Sequence, residues 1–307
     1  MRLKLERAGQ KQLSVMKQGV LVTTFKEPAW FERTIRCLGG EFSFFVHVDR
    51  KSKPAVLEGF RDLARKYNNV TVLSQYTVNW GGYNHLKAIL LLVEEALKGG
   101  MEYCHLITGQ DYPVKSSTLL MEEGLKKVNY LNYVPLPRAD WKDGGYDRLI
   151  YYNFFDLFNG RKRWGRRMIH YLVAIQRLIF LKRKIPQDIK FYGGMTYWSL
   201  TGECLEYAMN YVAEHPEFMK AFAYSFCAEE IFFQTVLLNS KFKDDIVNDD
   251  RRFIVWEFRD GKNPATLDER DYENVRVSPA FFMRKIEYPE SAGLVYRLEQ
   301  NITNQIL

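Results

Sequence analysis

Three short apolar runs separated by helical stretches constrain this chain more than any other feature. Residues 19–25 (GVLVTTF), 42–48 (FSFFVHV) and 69–73 (NVTVL) are rich in β-branched and aromatic residues, the mark of buried strands. Between them, residues 28–38 and 54–67 read as helices. Strand, helix, strand, helix at this spacing makes βαβ units, and βαβ units make a parallel sheet. Ligands of such sheets lie outside the carboxyl ends of the strands, where Thr23, Thr24 and Asp49 fall.

The alternation continues with a helix over 84–98, a strand over 102–108, an abrupt turn at GQDYP (109–113) and a helix over 116–127. Residues 129–160 are aromatic and turn-rich, which suits an insertion lining a groove. Helical spacing returns at 202–214 and a strand at 252–258. A chain of 307 residues can bury a full core, and no repeat, low-complexity tract or linker divides it. The expected organisation is an N-terminal tail over 1–18 and a single domain over 19–307.

Charge adds a second constraint. The formal net charge is +7, which favours anionic partners. Nine of the 24 residues 161–184 are Arg or Lys, gathered at both ends of an apolar centre. Two explanations stand: a basic amphipathic helix on an anionic membrane, or a domain helix with solvated ends. Nucleic-acid binding is disfavoured because no recognition motif accompanies the charge. Four scattered cysteines without metal-ligand spacing suit free thiols in a reducing cytosol. The sequence has no 18-residue apolar run and no apolar segment in its first residues, so a cytoplasmic protein, peripheral on the membrane at most, is expected.

Missing motifs narrow the chemistry. There is no GxGxxG after the first strand, no GxxxxGK[ST], no GxSxG and no HExxH. The five histidines are dispersed, and no Asp-x-Asp pair is available to hold a divalent ion against a diphosphate. An enzyme that expels a diphosphate without a metal must neutralise it with Arg and Lys. Candidates near strand ends are Arg251, Arg252, Arg259, Lys262, Arg284 and Lys285.

Seven segments then occur in order: VHVDRKS (46–52), NWGGYN (79–84), LITGQDYPVKS (106–116), FYGGMTYWSLT (191–201), AEEIFFQTVLLN (228–239), RFIVW (252–256) and FFMRKIE (281–287). Together they resemble the core-2/I-branching N-acetylglucosaminyltransferase family, which also includes the peptide O-xylosyltransferases. The resemblance implies a glycosyltransferase-A-type α/β fold, with a Rossmann-like, mostly parallel sheet flanked by helices. It implies a nucleotide half at about 19–128, the insertion and basic helix at 129–184, and an acceptor and catalytic half at about 185–290. It also implies inverting transfer from a UDP-sugar, chiefly N-acetylglucosamine or xylose, to a glycan or glycolipid hydroxyl, with no metal and no other cofactor.

Position by position, Glu230 matches the family's catalytic base, which takes the acceptor proton as oxygen attacks C1. Its neighbour Glu229 points about 100° away on a helix, so one acid of the pair serves as base and the other is left for the sugar. Both are otherwise explained as first-turn helix acids. Asp49 matches the acid that contacts the nucleoside, with Thr23 at the adjacent strand end and Trp80 near the base. Trp256 matches an aromatic wall of a sugar pocket. Lys285, with Arg284 beside it, matches the diphosphate cation; a second cation falls in the loop after Trp256, where Arg259 and Lys262 are available. Asp111 of GQDYP binds the donor sugar or merely fixes its turn. The absence of an anchor and disulfide set points to a bacterial enzyme of surface-polysaccharide or lipid-linked glycan synthesis. A non-catalytic glycan-binding module on the same fold, using residues 129–160 as its platform, is the alternative.

Overall fold

The structure is a computed structural model that describes residues 16–26 and 28–304. Its strands are β1 (Gln18–Thr24), β2 (Phe42–Val48), β3 (Val70–Leu73), β4 (Tyr103–Thr108), β5 (Asp111–Pro113), β6 (Asn129–Leu131), β7 (Val134–Pro135), β8 (Tyr192–Gly193), β9 (Trp198–Thr201), β10 (Ile246–Val247), β11 (Arg252–Ile254) and β12 (Phe282–Arg284). The helices are α1 (Pro28–Leu38), α2 (Pro54–Lys66), α3 (Tyr83–Lys98), α4 (Ser117–Leu125), α5 (Asp147–Ile150), α6 (Arg163–Leu178), α7 (Gly202–Glu214), α8 (Pro216–Phe222), α9 (Phe232–Leu238), α10 (Tyr272–Val277) and α11 (Ala292–Asn304).

A seven-stranded sheet in the order β10-β6-β9-β4-β1-β2-β3 forms the centre. β1 runs parallel to β2 and to β4, with Val22 opposite both Val46 and Ile107. Only β9 runs against its neighbours β4 and β6. The fold is thus mixed α/β, with a mostly parallel sheet and helices on both faces.

Side-chain alternation explains why the strands read as continuous apolar runs. Val20 and Val22 of β1, with Phe44, Val46 and Val48 of β2, pack on Phe31 and Ile35 of α1 and Phe60 and Leu63 of α2. Leu21 and Phe45 point to the opposite face and meet Leu86, Ile89 and Val93 of α3. Successive strand residues face opposite sides, so both parities must be apolar when both faces are covered.

A smaller sheet, β11-β12-β5, packs its own core of Trp30, Tyr112, Met283, Leu294 and Leu298 beside the first. β7 and β8 form a separate two-stranded ladder.

Three boundaries differ from expectation. Residues 1–15 of the expected tail lie outside the described residues, while Gln18, its last residue, already pairs in β1. Residues 129–131, placed in the insertion, are β6 of the central sheet, too short a strand to show a period of its own. The basic segment 161–184 is helical only over α6.

Candidate active site

β1 is followed by β2 on one side, whereas β4 lies on its other side, so the strand order reverses at β1. The carboxyl ends of β1, β2 and β4 therefore open onto the crevice of an open α/β sheet. Thr23 is the penultimate residue of β1 there, and Asp49 follows β2 directly. Asp49 is buried and accepts the backbone N–H of Lys51 (3.1 Å) and of Val78 (3.0 Å), with the Lys51 ammonium 3.5 Å away. It thus holds the loop that leads to Trp80.

Trp80 is half exposed and stands edge-on to Phe226 and Phe155, at 5.4 and 6.1 Å between ring centroids. Gly81 follows with φ +79°, a left-handed conformation natural to glycine, and its carbonyl accepts the Cys227 N–H at 3.0 Å. The NWGGYN loop is thereby joined to the Cys227–Glu230 turn.

That turn is not the first turn of a helix. Cys227 is left-handed, Ala228–Glu230 form a single 3-10 turn, and Ile231 breaks the path before α9 begins. The two acids diverge. Glu229 points inward and is 5% exposed, and its Oε1 lies 3.0 Å from His85 Nδ1 on α3. His85 Nε2 lies 3.2 Å from Thr23 Oγ1, so a Glu229–His85–Thr23 chain reaches the end of β1. Glu229 Oε2 is buried without a hydrogen-bond partner.

Glu230 is 28% exposed and receives one Nη1–H of Arg148 at 2.6 Å. The Arg148 guanidinium lies 3.3 Å from the centre of the Trp141 ring. Burial raises the Glu230 pKa and the Glu229 charge raises it further, while Arg148 pulls it back; the net direction is upward. The Gly194 N–H donates to the Glu230 carbonyl at 2.8 Å. A Cβ on Gly194 would lie 1.9 Å from the Asn132 carbonyl oxygen, which is why FYGG must end in glycine.

Cys227, Glu229 and Glu230 bring ligand atoms within 4.8 Å of one another, the sole group among the described residues that could hold a metal. Burial pushes the Cys227 thiol well above its ordinary range, and Arg148 already occupies Glu230.

Cations gather elsewhere. Lys285 contacts Glu287 Oε1 at 2.8 Å, Lys26 contacts the same oxygen at 3.4 Å, and Lys262 pairs with Oε2. Gln110 and Thr266 also donate to Glu287, at 2.9 and 3.3 Å. Burial pushes the Glu287 carboxyl up, but the Lys262 and Lys285 contacts outweigh it and hold it well below the usual range.

The other predicted cations are engaged structurally. Arg284 donates to Asp111 at 2.7 Å and to Thr108 Oγ1 at 2.5 Å. Asp111 Oδ2 accepts the Thr108 N–H at 2.6 Å, and the side chain is fully buried. Asp111 therefore fixes the turn after β4 and anchors Arg284, with both oxygens already engaged. Arg259 forks onto Asp271 and the Thr266 carbonyl. Arg252 is buried and caps the Leu106 and Trp198 carbonyls at 2.9 Å, while Arg251 lies over Tyr130. Trp256 is exposed, in the loop that also carries Lys262.

Residues 21–280 match the family described as Core-2/I-Branching enzyme. The chain belongs to the core-2/I-branching enzyme family. That is a family of glycosyltransferases. Xylosyltransferase 1 of Mus musculus is 23% identical over 283 residues, covering 85% of this chain and 28% of its own length. Xylosyltransferase 2 of Canis lupus familiaris is 27% identical over 271 residues, covering 80% and 28%. The chain thus spans less than a third of the length of these relatives. Among solved structures, mouse xyloside xylosyltransferase 1 in its apo form superposes with a TM-score of 0.34 at 11% identity, over 87% of this chain and 97% of that one.

Within this core-2/I-branching chain, Thr23, Glu229 and Glu230 come together, and Lys262 joins Lys285. Arg148, His85, Lys26 and Glu287 join these clusters without belonging to the candidates legible in the sequence. His85 had a usable signal, standing directly after NWGGYN at the start of a helix. Arg148 had none, because its place in an aromatic loop says nothing of its partner.

Proposed function

We propose that this chain transfers a sugar, N-acetylglucosamine or xylose, from a UDP-sugar to the hydroxyl of a glycan acceptor, with inversion and without a metal. One observation carries the reading: Glu230 is a partly exposed carboxylate of raised proton affinity, held by Arg148 at the carboxyl edge of the sheet. Such a group suits general-base catalysis. Glu230 accepts the acceptor O–H proton as that oxygen bonds to C1, and the C1–O bond to the diphosphate breaks on the opposite face. The electron pair leaves with UDP, and one base suffices for the single displacement.

Asp49, Thr23 and Trp80 line the nucleotide end, Trp256 offers an exposed ring for a sugar face, and the free oxygen of Glu229 suits a donor-sugar hydroxyl. Lys285, Lys262 and Lys26 supply the positive charge a metal would otherwise bring to the diphosphate. The relatives named xylosyltransferases support xylose; the resemblance to the branching enzymes supports N-acetylglucosamine. The unpaired cysteines favour a cytoplasmic, bacterial setting in glycan synthesis.

The test is a screen of UDP-sugars for thermal stabilisation, followed by transfer assays in EDTA. Full activity in EDTA is expected, and a strict Mn²⁺ requirement would sink the cationic mechanism. A chain that binds glycans but never releases UDP would be the binding module instead.

A further inference from the structure

α6 has three sides. Gly165, Ile169 and Gln176 face the protein. Gln176 locks the helix down, accepting the Tyr152 N–H at 2.8 Å and donating to the Tyr152 carbonyl at 3.1 Å. Away from that side, Trp164, Tyr171 and Leu178 are 65%, 62% and 78% exposed. Two helical turns take about 7.2 residues, so positions seven apart form one apolar line along the helix. Arg163, Arg166 and Arg167 flank it on the third side.

The apolar line runs into a tip where Ile179, Phe180 and Leu181 are all exposed, Phe180 to 86%. Phe180 has φ +56°, and the Leu181 N–H donates to the Gln176 carbonyl at 2.8 Å. This is a helix-ending turn in which glycine is the usual left-handed residue. A bare phenylalanine there is costly in backbone and in hydration, and a solvated helix end has no use for it. Around the tip, Lys182 and Lys184 continue the charge. Together with Arg161, Lys162, Arg163, Arg166 and Arg167 they form no salt bridge among the described residues. No residue of 161–184 is acidic.

We infer that α6 and the 179–181 tip dock on an anionic lipid surface, with Leu178, Phe180 and Leu181 entering the headgroup boundary and the free Arg and Lys side chains meeting lipid phosphates. Charge complementarity selects this occupant: an apolar ridge edged by unpaired cations matches a negatively charged bilayer face, whereas a second copy would bring like charge against like. The surface is tied to the candidate active site. Arg183 donates to the Leu149 and Lys220 carbonyls, and Tyr152, which seats Gln176, lies four residues from Arg148. Four residues span at most ~14 Å, so a docked α6 holds the Glu230 corner close to the membrane. A lipid-borne glycan acceptor follows if the transfer reading above is right; the docking itself does not depend on it.

The full chain is floated with vesicles of phosphatidylcholine alone and of an equal mixture with phosphatidylglycerol. Wild type is expected on the mixed vesicles only, released by salt. The double variant L178S/F180S should lose at least about tenfold in vesicle affinity, and R166E/R167E should bind no better. Both should keep the UDP-induced rise in Tm, which reports the nucleotide site separately. Wild type that ignores anionic vesicles, or a dimer that L178S/F180S dissolves, overturns the docking. Loss of the UDP response in wild type would instead count against the transfer reading alone.

Discussion

Two charged corners face the same crevice and are built in opposite ways. Around Glu229 and Glu230, two acids share one arginine and one histidine, and much of the shell is buried and aromatic. Around Glu287, one acid is shared by three lysines, and Lys26 and Lys262 remain about one-third exposed. The first corner holds excess negative charge, and partial burial together with the Glu229 charge raises the proton affinity of Glu230. The second holds excess positive charge, three lysines around the single carboxylate of Glu287. Under the proposed transfer a proton acceptor suits the former charge balance and a diphosphate the latter, so net charge rather than exposure separates the two corners.

Breaking the acid corner should have the largest effect. E230Q is expected to lower kcat by ~10²–10⁴-fold while UDP binding is unchanged, and retained turnover would remove Glu230 as the base. At the cation corner, K285A or K262A should weaken UDP binding by roughly tenfold each, the value of one charge-assisted hydrogen bond. E287Q should do the reverse in calorimetry, because it frees the lysines; weaker binding would show that Glu287 positions them. R148A should move the acid limb of the kcat profile to higher pH, since it deletes the cation that pulls the Glu230 pKa down, and R148K should restore part of it.

The smallest expected effect is on stability. The Glu230 pKa is raised in the folded state, so its ionisation costs stability at neutral pH and costs nothing below the unfolded value of about 4.3. E230Q should therefore raise Tm near pH 7 and converge with wild type in acid. Equal gains at both pH values would show that packing, not charge, is responsible.

Much of the site was legible where strand ends and motifs coincide. Asp49, Trp80, Glu230 and Lys285 each belong to a segment whose pattern places it at the edge of a strand or in a turn. Asp111 and Arg259 stayed open for one reason: a charged residue in a conspicuous turn looks the same whether it meets a ligand or a neighbour. Only the tertiary structure shows that Arg284 and the Thr108 N–H engage both Asp111 oxygens and that Asp271 and the Thr266 carbonyl engage Arg259. The helical reading of Glu229 and Glu230 failed differently. The left-handed Cys227 and the break at Ile231 are imposed by the Gly81 and Gly194 contacts, which lie far away in sequence.

The sequence by itself determined the parallel sheet, its two buried faces and the location of the crevice, because hydrophobic periodicity is local and short crossovers leave few topologies. It also carried the ordered motifs that mark the family. The tertiary structure decided which cation serves which acid. Arg148 reaches Glu230 across 82 residues and Lys26 reaches Glu287 across 261. Electrostatic partnership depends on distance in space and on shared burial, and neither is written in the spacing of residues along the chain.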